Sequence, residues 1–128
     1  MAQVLTKHER REFSRIALHR PAIIEVTGAR TACELLDISL RGALVQAPAA
    51  FGGAVGAACT LNIRLDHGSV TIRMEGTIAH RDSGCVGVRS RVVDLDSATH
   101  LRRVLEMNLG DERLLDRELS ALVANRRG

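Results

Sequence analysis

From Pro21 to Val93, apolar and polar residues alternate in short runs, and this period of two predicts strands. The clearest run is CTLNIRLD. Cys59, Leu61, Ile63 and Leu65 take one face, and Thr60, Asn62, Arg64 and Asp66 take the other. His67–Gly68 then signals a hairpin turn, after which Val70, Ile72, Met74 and Ile78 alternate with Thr71, Arg73, Glu75 and Thr77. Upstream, AIIEV (22–26) is short and β-branched. In TACELLDIS (31–39), Cys33 and Leu35 share one parity while Leu36 and Ile38 share the other, as in a strand with a twist or bulge. CVGVRSRVV (85–93) follows a second Gly-bearing turn, RDSG. Five or six short strands at this spacing predict a small antiparallel barrel or sandwich.

At Asp94 the period becomes helical. Asp96 or Ser97 can cap the helix, since each offers an oxygen to the free N–H groups of a first turn. Leu101, Val104, Leu105 and Met107 to Leu109 supply an apolar stripe, and Gly110 suits the left-handed residue that ends it. Asp111 opens a second helix, with Leu115, Leu119, Leu122 and Val123 at helical spacing, before the polar tail NRRG. FGGAVG (51–56) lacks the Lys-Ser/Thr of a phosphate-binding loop and reads as a flexible connector.

Composition narrows the function. The 128 residues suit one domain whose core needs no staples, and a net charge of +3 is too small for bulk polyanion binding. Cys33, Cys59 and Cys85 have no C-x-x-C spacing, so they read as reduced, buried small hydrophobes of a reducing cytosol. The N-terminus has no apolar signal region and no run of about 18 apolar residues occurs, so a cytoplasmic protein without membrane insertion is expected. Five histidines show no metal-ligand spacing and no Ser or Cys sits in a nucleophile motif, so neither catalytic nor metal-binding residues are assigned. A barrel that binds single-stranded nucleic acid normally stacks bases on aromatic side chains. This chain has no Trp, no Tyr and only Phe13 and Phe51.

Two short segments stand apart from this frame. ERREFSRI (9–16) places Arg10, Arg11 and Arg15 on an arm ahead of the first strand, balanced only by Glu9 and Glu12. In DISLRG (37–42), Asp37 and Ser39 share a face in an extended chain, while Ile38 faces the core. Gly42 lets the chain turn or a ligand approach the backbone.

Together, R-x-x-x-R before a first strand and D-x-S-x-x-G some twenty residues later resemble the PilZ domain, the bacterial receptor module for cyclic diguanylate (cyclic di-GMP). Arg11 and Arg15 fill the first motif; Asp37, Ser39 and Gly42 fill the second. The resemblance implies a mainly β fold: a six-stranded antiparallel barrel over residues 21–95, a ligand-binding arm over 1–20 and C-terminal α-helices over 96–128. It also implies a non-catalytic receptor that signals to an unidentified effector protein and acts as a monomer. The chemistry suits the ligand. Arginine's planar fork pairs with phosphate oxygens or guanine O6 and N7, and its flat cation stacks on a purine. Asp37 can accept from the N–H groups on guanine's other edge, and Ser39 can bond phosphate or base.

In the family, the residue before the first motif arginine influences whether one ligand binds or a stacked pair. Arg10 stands there and points to a stacked dimer of ligand. The chain departs from close relatives at Glu12, where a basic residue is frequent, and at His80, where an aromatic near the end of the fifth strand stacks on guanine. An alternative within the family is an adaptor that binds protein without nucleotide, as in type IV pilus assembly. A small nucleic-acid-binding barrel is the more distant alternative.

Overall fold

A computed structural model describes residues 15–65, 68–109 and 117–121. Six strands follow in order: β1 (Ile16–Val26), β2 (Ala29–Ile38), β3 (Gly42–Gln46), β4 (Ala58–Leu65), β5 (Val70–Asp82) and β6 (Cys85–Val93). They close into an antiparallel barrel in the order β1-β2-β3-β6-β5-β4, so among these strands no edge is left to pair with another chain. One helix, α1 (Leu95–Leu109), packs chiefly on β5. The barrel with a C-terminal helix is the fold the family resemblance implies. Residues 117–121 are also helical; Gly110, Asp111, Leu115, Leu122 and Val123 lie outside the described residues. Among the described residues no helix is long and apolar enough to cross a membrane.

The alternation read from the sequence is the core. Cys59, Leu61, Ile63 and Leu65 of β4 are buried, as are Ile72, Met74 and Ile78 of β5. Ile24, Leu35, Ile38, Val45, Val86 and Leu105 complete the interior with 0% exposure. The tight turns use positive φ at consecutive positions, Thr27–Gly28 between β1 and β2 and Ser83–Gly84 within the RDSG turn. That backbone matches the right-handed twist of the strands it joins. Cys59 is buried, but Cys33 and Cys85 are only half-buried, so the expectation of three buried thiols holds for one. Burial raises the thiols of both Cys33 and Cys59 to about 11, which keeps them protonated and unreactive at neutral pH.

Four features differ from the sequence reading. β1 begins at Ile16 and takes in residues 16–20 of the expected arm; Ile16 is buried opposite Ile38. The FGGAVG connector is anchored rather than flexible. Phe51 is buried, the Arg81 guanidinium lies 5.0 Å above its ring, and Arg81 Nη1 donates to the Gly53 carbonyl at 2.6 Å. Met107 is 78% exposed, and among the described residues Leu101, Val104 and Leu105 form the apolar stripe. The helix is capped by Asp94, not Asp96 or Ser97: Asp94 Oδ2 accepts the Ser97 N–H at 3.1 Å. The Ser97 hydroxyl instead accepts the Arg73 N–H at 2.8 Å, tying α1 to β5.

Hydrogen bonds from the Ser97 hydroxyl and N–H hold the Asp94 carboxyl below its usual range. A depressed carboxylate contributes stability above its unfolded pKa and loses it as pH falls through the folded value. Asp94→Ala should therefore lower the thermal unfolding midpoint at neutral pH. The gap from wild type should close on acidification; a gap independent of pH would refute the cap.

Candidate functional site

Two β-bulges aim the site's side chains. On β2, Leu35 pairs with Val45 and Asp37 with Leu44, so Leu36 is an extra residue in the ladder. On β5, Ile78 pairs with Val88 and His80 with Gly87, so Ala79 is extra. Without these insertions Asp37 would share the inward parity of Leu35, and His80 that of Ile78. Each bulge flips the parity and turns its polar residue outward. The result is one row across four strands on the outer face: Asp37 (β2), Leu44 (β3), Gly87 (β6) and His80 (β5). Three strand intervals separate its ends, about 14 Å.

Two glycines, Gly87 and Gly42, lie beside Leu44 in the middle of this face. A Cβ on Gly87 would stand 2.2 Å from His80 Nε2, so the imidazole lies directly over that glycine. A Cβ on Gly42 would stand 2.1 Å from the Val88 carbonyl oxygen. Gly42 is thus demanded by the contact of β3 with β6, where the sequence suggested a turn or space for a ligand. Ser39 also departs from expectation. β2 ends at Ile38, so alternation no longer governs Ser39, which is 5% exposed and closes the turn. Its N–H donates to the Gly42 carbonyl at 2.9 Å, and its Oγ accepts the Arg41 N–H at 3.1 Å. The Arg41 carbonyl in turn accepts the Ser90 N–H at 2.8 Å, locking the turn to β6.

Arg15 immediately precedes β1, and its Nη1 lies 3.9 Å from Asp37 Oδ1. With Arg15 44% exposed and Asp37 23%, such a pair contributes little stability, on the order of 0–1 kcal/mol. Arg10 and Arg11 lie outside the described residues. A cleft of about 190 Å³ brings Arg15, Ser39, Gly42 and His80 together, with Asp37 just beyond its lining. Two further arginines line it that the sequence reading did not select, Arg41 and Arg89. Arg41 sits inside DISLRG, and Arg89 is an outward residue of β6; their residue type was the available signal. Three arginines, one histidine and no carboxylate line the cleft, which therefore favours an anion. A second cleft of about 300 Å³ carries Glu25 and Glu75 beside Arg91 and suits an anion less. Among the described residues no cluster of His, Cys, Asp and Glu could hold a metal ion.

The two glycines should respond differently to an added methyl. Gly42→Ala meets backbone and should lower the unfolding midpoint markedly. Gly87→Ala meets only a movable ring and should cost less while displacing His80. Thermal unfolding, with imidazole NMR shifts for His80, checks both; equal losses or an unmoved ring would contradict the geometry.

Comparison with known proteins agrees with this architecture. The model of the PilZ domain family matches residues 9–107. Among solved structures, the chain is similar to the PilZ domain of CeSA from a cellulose-synthesizing bacterium, with a TM-score of 0.58 and 15% identity over 76% of this chain and 96% of that one. The Bacillus subtilis inhibitor of motility MotI/DgrA gives a TM-score of 0.62 and 17% identity over 87% of this chain and 52% of that one. The Borreliella burgdorferi PlzA protein, solved in complex with c-di-GMP, gives 0.57 and 18% over 78% and 43%. The chain thus spans about half of MotI/DgrA and less than half of PlzA. The family match covers most of the sequence, from the first arginine motif into α1, and the chain belongs to the PilZ domain family.

Proposed function

We propose that the protein is a non-catalytic receptor for cyclic diguanylate that signals to an effector protein. The observation that carries this reading is the convergence of Arg15, Ser39 and His80 on one cationic cleft with Asp37 at its rim. The cleft is smaller than the roughly 300–1,000 Å³ of pockets that enclose a whole ligand, so it takes part of a dinucleotide. Arg10 and Arg11, next to it in sequence, complete the grip on phosphate and guanine. Their chemistry supports it, because only a planar fork serves phosphate pairing, guanine O6/N7 pairing and stacking alike.

In this reading one guanine stacks on the His80 imidazole above the bare backbone of Gly87. Another presents its N–H edge to Asp37. Arg15 exchanges its weak contact with Asp37 for phosphate, which costs little because that contact is long and half-exposed. Gly42 contributes through the β3–β6 contact on which the cleft rests. Ser39 contributes by fixing the turn. A ligand clamping the Arg10–Arg15 arm across the face bearing Asp37, Ser39 and Gly42 changes surface shape and charge, and the effector reads that change.

Isothermal titration with cyclic diguanylate, cyclic diadenylate and GTP tests the assignment. Arg11→Ala, Arg15→Ala and Asp37→Ala should each weaken cyclic diguanylate binding roughly ten- to a hundredfold, the loss of one charge-assisted contact of about 1.5–3 kcal/mol. Wild-type affinity in all three rejects the site, and no binding by folded wild type favours the nucleotide-free adaptor. Stoichiometry is a separate expectation. Arg10 supplies a further stacking cation, so two ligands should bind per chain, and a ratio of one would overturn that role.

A further inference from the structure

Arg89 belongs to neither sequence motif, yet it stands in the middle of the candidate site. It pairs with Gly42 across β3–β6 and with Thr77 across β5–β6, and it lines the cationic cleft. Its side chain is exposed, and it makes no ion pair or side-chain hydrogen bond among the described residues. The carboxylate of Glu75, on the adjoining strand, is occupied by Arg73 at 3.3 Å. Glycine lies directly across from it at position 42 and two residues before it at 87, both on the outer face. Neither glycine sets a side chain of its own between the guanidinium and the cleft, although the His80 imidazole lies over Gly87.

We infer that Arg89 is a phosphate-binding residue of this site, pairing with a phosphodiester of the bound cyclic dinucleotide. The inference rests on the proposed ligand and adds to it a contact that the arm does not supply. Its basis is position. Strand order around the barrel is β2-β3-β6-β5, so Arg89 on β6 lies within the span bounded by Asp37 and His80. With a base held at each end of that span, the linking phosphodiesters lie between them. A phosphate needs charge there, whereas a guanine edge needs the planar fork.

The test is titration of cyclic diguanylate into wild type, Arg89→Gln and Arg89→Lys, each first shown to be folded by circular dichroism. Arg89→Gln should weaken binding about tenfold or more. Arg89→Lys should recover most of that loss, because a point charge suffices for phosphate. Binding by Arg89→Gln within about twofold of wild type, while wild type binds well, overturns the Arg89 contact alone. An Arg89→Lys variant as weak as Arg89→Gln overturns the phosphate assignment. No binding by folded wild type overturns the ligand reading and, with it, this one.

Discussion

Closure of the barrel at the β3–β6 seam is the constraint on which the rest of the molecule depends. The seam joins β1-β2-β3 to β6-β5-β4, and β3 brings only five residues to it. The ladder is correspondingly tight, with the Val88 carbonyl filling the space a Cβ on Gly42 would need. The Ser39–Gly42 turn braces the same seam through the hydrogen bond from Ser90 to the Arg41 carbonyl. Ser39 and Gly42, which read as ligand contacts in the sequence, thus also fasten the fold. The same fastening explains why the outer face above it is low and open.

The cleft sits on this seam, so anything bound there touches both halves of the sheet. Asp37 comes from one half, Arg89 and His80 from the other, and Arg15 enters from the segment before β1. The Arg15–Asp37 contact on this surface is long and half-exposed, so a ligand that breaks it gives up little. β5 carries His80 outward and also receives α1 through the Ser97–Arg73 bond. Arg81, the residue after His80, holds the connector by its bond to Gly53 and its place over Phe51. One strand thus links the site's imidazole to the helix and to the β3–β4 connection.

Much of this was legible beforehand. The alternation in CTLNIRLD and in the run from Val70 placed the core faces of β4 and β5, because side chains of a strand point to opposite faces whatever its neighbours. The parity switch within TACELLDIS announced the bulge of β2. The spacing of the arginine motif and DISLRG gave the family, and with it the barrel and the residues to examine. The start of β1 was hidden because LHRP offers no clean alternation; only pairing with β2 makes it a strand.

What the sequence determined by itself was local: which residues alternate, where the chain turns, and which charged types cluster. Tertiary structure decided everything that is a property of two segments at once. His80 faces outward only because Ala79 has no partner on β6, and a bulge is defined by pairing. Gly42 must be glycine because of a carbonyl some forty-six residues later, and Ser39 is buried because the strand stops before it. Arg41 and Arg89, ordinary surface arginines in sequence, become cleft residues once closure sets them side by side.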